Sequence, residues 1–178
     1  MEFLSKNVED TAKIASDFAE QLYRRAPSAK ATVVGLYGEL GSGKTTFMKY
    51  LAEYFGIEEA IKSPTFVIMR KYEIRGTSNE VRKESNPSNL VTPNSRFDFL
   101  IHIDAYRIEK EEEMINLDWE KLISDPKNLI CIEWPNKIAG IMPPHIVIKF
   151  EHVESFAKTE DPERSERVRE TERKISIA

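Results

Sequence analysis

Residues 31–55 read Ala-Thr-Val-Val-Gly-Leu-Tyr-Gly-Glu-Leu-Gly-Ser-Gly-Lys-Thr-Thr-Phe-Met-Lys-Tyr-Leu-Ala-Glu-Tyr-Phe. An apolar, β-branched run gives way to a glycine-rich turn and then to a helix-forming segment, so the stretch predicts a buried strand, a loop and a helix. The loop fits G-x-x-x-x-G-K-[ST], with Gly38, Gly43, Lys44 and Thr45 in the fixed positions. Gly38, Gly41 and Gly43 admit backbone angles closed to other residues, which lets successive N–H groups converge on an anion. The helix starting near Gly43 adds unpaired amides and the positive end of its dipole. Lys44 supplies a point charge for outer phosphates, and Thr45 a hydroxyl for a Mg²⁺ that shares phosphate oxygens. The stretch is therefore a nucleotide-phosphate cradle.

Around this centre, 178 residues are enough for one domain with one sizeable core. A net charge of -4 argues against coating nucleic acid by bulk electrostatics. The single cysteine, Cys131, lies in the apolar run Leu129-Ile130-Cys131-Ile132 and reads as a buried small hydrophobe, compatible with a reducing compartment. No segment has the length and apolarity of a membrane span or a leader, so a soluble, cytoplasmic protein with no membrane partner is expected.

Upstream, Asn7 and Asp10 mark a helix start, and Val8, Ala12, Ala15, Phe18 and Leu22 continue at helical spacing to about Arg24. Downstream, Gly56 stops the second helix, and Ser63-Pro64-Thr65 leads into a strand from Phe66 to Glu73. Thr65 is a candidate sensor of a terminal phosphate; a Ser-Pro-Thr turn entering a strand is the plainer reading. Residues 74–96 are too polar to pack and read as a flexible insert joining this strand to an antiparallel one from Phe97 to Ile103. Arg75, Arg82, Lys83 and Arg96 offer contacts for RNA or an acidic partner.

His102 and Asp104 share one strand face, opposite Ile101 and Ile103. A structural His-Asp pair and a catalytic one are equally compatible with the spacing. A short helix is expected over Glu109–Leu117, a left-handed turn at Asn116, and a second helical piece around Trp119 and Leu122. Leu129–Glu133 is an apolar strand that ends in an acid, the form of a Walker B strand, which makes Glu133 the first choice for a Mg²⁺-holding carboxylate. Strands at Ile146–Phe150 and Lys174–Ile177 enclose a charged, solvated turn, with some helix expected from Pro162.

Four stretches in this order are more specific than any alone: Gly38–Thr46, Ser63-Pro64-Thr65-Phe66, His102-Ile103-Asp104-Ala105-Tyr106-Arg107, and Ile132-Glu133-Trp134-Pro135. Together they resemble the bacterial TsaE (YjeE) family, the ATPase component of the machinery that makes threonylcarbamoyladenosine on tRNA. The resemblance covers Asn7 to Phe150. It implies a single α/β P-loop domain, with a central, mostly parallel sheet, added antiparallel strands and flanking helices. It also implies ATP and Mg²⁺ as ligands, and a TsaB–TsaD type complex as partner. In that family the group transfer belongs to TsaD and the ATPase resets the complex between turnovers, with tRNA contacted indirectly or weakly. By likeness, Gly38, Glu39, Leu40, Gly41, Ser42, Gly43, Lys44, Thr45 and Thr46 bind the nucleotide. Thr45 and Glu133 hold Mg²⁺, Asp104 supports water or metal, Thr65 senses the terminal phosphate, and Thr11 lies near the nucleotide. The insert is longer than the connection usual in the family, and Asn116 stands where a glycine is common.

A small-molecule or nucleotide kinase is the first alternative, but no arginine-rich lid lies between the Walker B strand and the final strands. A GTP-dependent switch is disfavoured, because Asn136-Lys137-Ile138-Ala139 lacks the carboxylate of a guanine-reading motif. A third reading is an interaction module whose nucleotide-bound state matters more than turnover.

Overall fold

The computed structural model describes residues 1–57, 68–74, 96–156 and 169–178. Seven strands form one sheet in the order β1-β7-β6-β2-β5-β4-β3. The strands are β1 (Glu2–Ser5), β2 (Thr32–Gly38), β3 (Met69–Glu73), β4 (Phe99–Asp104), β5 (Asn128–Glu133), β6 (Ile146–Phe156) and β7 (Arg169–Ile177). The helices are α1 (Val8–Arg24), α2 (Lys44–Tyr54), α3 (Glu112–Ile115) and α4 (Trp119–Ser124). The inner strands β6, β2, β5 and β4 are parallel; β3 and β7 join them antiparallel, and β1 pairs antiparallel with β7 at the edge. This is the α/β architecture expected.

The phosphate-loop strand β2 sits at the middle of the sheet, and β5 is buried along its whole length between β2 and β4. A strand covered on both faces needs an unbroken apolar run, which is why 128–133 shows no polar alternation. Helices α1 and α2 cover one face, where Phe18, Leu22, Phe47, Met48 and Leu51 pack on Val34, Leu36, Cys131 and Ile148. On the other face Trp119, Met114 and Ile138 pack on Val33, Ile101, Ile103, Ile130 and Ile132. Cys131 is a free, buried thiol, and burial pushes its pKa far up; it fills core volume.

Helix α1 starts as the sequence predicts. The Asn7 side chain accepts from the Asp10 amide at 2.7 Å, and the Asp10 carboxylate accepts from the Lys6 amide at 2.9 Å. Arg96 closes the other end by donating to the carbonyls of Leu22, Arg25 and Ala26. The expected chemistry of Arg96 is thus redirected: it caps a helix whose last carbonyls lack intrahelical donors.

Other expectations are revised. Asn116 is right-handed (φ -65°), and the left-handed residue is Asp118 (φ 58°), the N-cap of α4. The turn thus comes two residues later, where the chain passes from α3 into α4. The final strands are longer than their apolar cores suggested, running to Phe156 and from Arg169. Backbone pairing extends through Glu151↔Lys174 and His152↔Arg173, where β1 still flanks β7, and beyond Val153↔Glu172 as a two-stranded ribbon. Strand β1 has no counterpart in the periodicity; it is four residues paired to β7. Thr65, Pro162 and residues 75–95 of the 74–96 insert lie outside the described residues.

Candidate nucleotide site

The carboxyl ends of β2, β4 and β5 lie side by side, because parallel register places Asp104 next to Glu133 and Glu133 next to Leu36. In open α/β sheets this edge is where ligands bind. The phosphate loop leaves β2 at Gly38, whose φ is 148°. A Cβ on Gly38 would sit 2.5 Å from the Phe150 carbonyl oxygen and 2.7 Å from Ser42 Oγ, so the loop can turn here only without a side chain. Ser42 is buried beneath this turn, whereas Glu39, Leu40 and Gly41 form the exposed tip. Gly43 is the left-handed N-cap of α2 (φ 102°). Helix α2 begins at Lys44 with no side chain capping its first amides, which therefore face the loop.

Lys44 is 5 % exposed. Its ammonium donates to the carbonyls of Gly38 and Glu39, both at 2.8 Å, and lies 4.2 Å from the centre of the Trp134 ring. Burial lowers the Lys44 pKa, and the charges of Glu133, Asp104 and Glu39 act in the opposite direction. Thr45 Oγ1 donates to both carboxylate oxygens of Glu133, at 2.9 and 3.1 Å. Thr46 follows, half-buried, on the same turn.

Glu133 is buried and takes a third contact from His102 Nε2 at 3.0 Å. The sequence left His102 paired with Asp104; the structure pairs it with Glu133 one strand away. Asp104 is half-buried, and its carboxylate accepts from the Tyr106 amide at 3.1 Å. Beyond Glu133, Trp134 takes a left-handed backbone (φ 59°), which swings its ring over Lys44 and against Tyr106 at a centroid distance of 5.2 Å. An aromatic residue at positive φ is an outlier that persists only where neighbours hold it.

Thr11 is buried, and its hydroxyl is 2.7 Å from Ser5 Oγ. Ser5 is in register with Arg173 on β7. Arg173 was not foreseen. Its Cδ and Nε lie 3.1 and 3.3 Å from where a Gly43 Cβ would be, so the side chain lies against the N-cap of α2. Arg173 Nε is buried without a hydrogen-bond partner among the described residues. The signal was hard to find, since Arg173 is one charge among many in a run read as a solvated turn. Thus Arg173 lies against the loop at Gly43 and Trp134 over Lys44, whereas Thr11 bonds Ser5 and makes no contact with the loop among the described residues.

The Thr45 hydroxyl and Glu133 carboxylate are hard oxygen donors, the set that suits a Mg²⁺ keeping most of its waters and sharing phosphate oxygens. Among the described residues no three His, Cys, Asp or Glu form a closed metal cage.

Comparison with known proteins accords with this geometry. Residues 5–164 match the family model described as threonylcarbamoyl adenosine biosynthesis protein TsaE. The chain belongs to the TsaE family. It is 32% identical over 149 residues to the tRNA threonylcarbamoyladenosine biosynthesis protein TsaE of Bacillus subtilis, covering 80% of this chain and 73% of that one. The Treponema pallidum TsaE is 28% identical over 147 residues (83% of this chain, 87% of that one). The Rickettsia conorii TsaE is 32% identical over 140 residues (78% and 63%). The chain thus spans just under two thirds of the Rickettsia protein and 55% of the Streptomyces coelicolor one. The crystal structure of Bacillus subtilis YdiB superposes with a TM-score of 0.61 at 22% identity, over 99% of this chain and 83% of that one, and shares the fold. No helix among the described residues is long and apolar enough to cross a membrane.

Proposed function

We propose that this TsaE-family chain is a Mg²⁺-dependent ATPase that serves tRNA threonylcarbamoyladenosine formation, binding a TsaB–TsaD type complex and resetting it between turnovers. The observation that carries the reading is the convergence of Lys44, Thr45 and Glu133 at the mouth of a glycine loop that opens a helix. Lys44 exchanges its two loop carbonyls for the outer phosphates, trading neutral acceptors for charged ones that bind more strongly. Thr45 and Glu133 hold Mg²⁺, which neutralises charge on the phosphate oxygens when bound. Asp104 orients the attacking water, Thr65 contacts the terminal phosphate, and Arg173 adds a guanidinium beside the first turn of α2. Trp134 confines Lys44 and shields it from water, which strengthens its attraction to phosphate.

A kinase would need an arginine-rich lid over its acceptor, yet no arginine lies between Glu133 and Arg164. The test is ATP hydrolysis by the chain alone and with its own organism's TsaB–TsaD pair, with and without tRNA. The reading predicts stimulation by the pair and sustained multiple-turnover modification. Absence of both stimulation and a complex would contradict it.

A further inference from the structure

The buried histidine His102 has no part in the reading above, yet it holds the residue to which that reading gives the metal. It is 0 % exposed, and its Nε2 lies 3.0 Å from Glu133 Oε1. A carboxylate only accepts, so the bond requires Nε2–H as donor. In neutral imidazole Nδ1 is then a bare acceptor, and it is buried with no hydrogen-bond partner among the described residues. On the adjacent strand, Arg70 is in register with His102, and its Nε is a buried donor that also has no partner among the described residues. Directly opposed side chains on one sheet face have Cβ atoms about 5 Å apart, so an unpaired acceptor and an unpaired donor, not bonded to each other, stand on neighbouring positions of β3 and β4.

We propose that His102 is a positioning residue: its Nε2–H fixes one oxygen of Glu133, and Arg70 steadies the imidazole through a bridging water. The inference rests on the Mg²⁺-nucleotide reading of the site. Thr45 contacts both carboxylate oxygens and cannot alone prevent the carboxylate from rotating when its hydroxyl turns to a metal. The histidine bond leaves Oε2 as the freer oxygen and sets the plane in which it is presented. Outer partners of this kind typically change metal affinity or activity by about 10- to 100-fold.

The experiment titrates Mg²⁺ against a fluorescent ATP analogue on the full chain, with melting temperature measured alongside. The His102→Phe variant keeps a buried ring and removes the donor; His102→Gln returns an N–H near the Nε2 position. The proposal expects His102→Phe to bind metal-free nucleotide within about twofold of wild type, while the Mg²⁺ midpoint rises about tenfold or more. His102→Gln should recover most of that loss, and Arg70→Met should show a smaller shift in the same direction. An unchanged midpoint in His102→Phe, or equal loss in His102→Gln, overturns the proposal. If His102→Phe does not fold, imidazole nitrogen NMR of the wild type decides: the neutral Nε2–H form supports the line, and a neutral Nδ1–H form overturns it. A wild-type chain whose nucleotide binding ignores Mg²⁺ defeats the ATPase reading itself and this inference with it, which separates that failure from a change confined to the variants.

Discussion

Glu133 is the residue on which most contacts of the site converge, with Thr45 and His102 both bonded to its carboxylate. Glu133→Gln keeps the size but removes the charge, so it should bind metal-free ATP with little change and lose at least about tenfold of the Mg²⁺-dependent hydrolysis, at about 1.4 kcal/mol per tenfold. Hydrolysis equal to wild type would shift the metal role to Asp104. Arg173 makes a different prediction, because its side chain lies on Gly43 and away from the Glu133 side of the loop. Arg173→Met should weaken nucleotide binding by about tenfold, the loss expected for one charge-assisted hydrogen bond, equally with and without Mg²⁺. A Mg²⁺-selective effect in calorimetry would contradict that placement. Glu133 was legible in the sequence because an acid ends an uninterrupted apolar strand. Arg173 was not, since only strand pairing across 20 residues of sequence brings it to the loop (His152↔Arg173).

Strand, loop and helix around Gly38 follow from local chemistry, and here the sequence and the structure agree closely. The predicted run from Val8 to Arg24 also holds, because both the cap and the apolar spacing are local. Long-range pairing accounts for the rest. Strand β1 exists because β7 offers it an edge, and the ribbon of β6 and β7 extends beyond Phe150 through backbone bonds that need no apolar pattern. Asp118 took the left-handed position expected at Asn116 because one more turn of chain is used before α4 begins. Gly38→Ala tests the loop as an element. The added methyl would meet the Phe150 carbonyl at 2.5 Å, a backbone atom that cannot step aside. We expect at least about 1–3 kcal/mol lower stability, the range for a strained backbone position, together with loss of ATP binding. Wild-type denaturation and affinity in this variant would show that the turn tolerates a side chain.

At the scale of the whole molecule, the sheet order explains why residues far apart in sequence form one site. Placing β2 in the middle, with β5 and β4 parallel beside it, delivers Gly38, Glu133 and Asp104 to the same edge. Apolar runs identified the inner strands, but strand order and register depend on contacts between distant segments, which periodicity does not encode. The Glu133–His102 bond is of this kind, since strand spacing puts the histidine on the face of Asp104, while register sets it opposite Cys131 and a diagonal step from Glu133, which its side chain reaches. The central claim is that this edge holds Mg²⁺-ATP through Lys44. Calorimetric titration of ATP, with and without Mg²⁺, into the wild type and Lys44→Ala tests it most directly: the account predicts saturable binding tightened by Mg²⁺ in the wild type and its loss in the variant, whereas equal ATP affinity in the two proteins would contradict it.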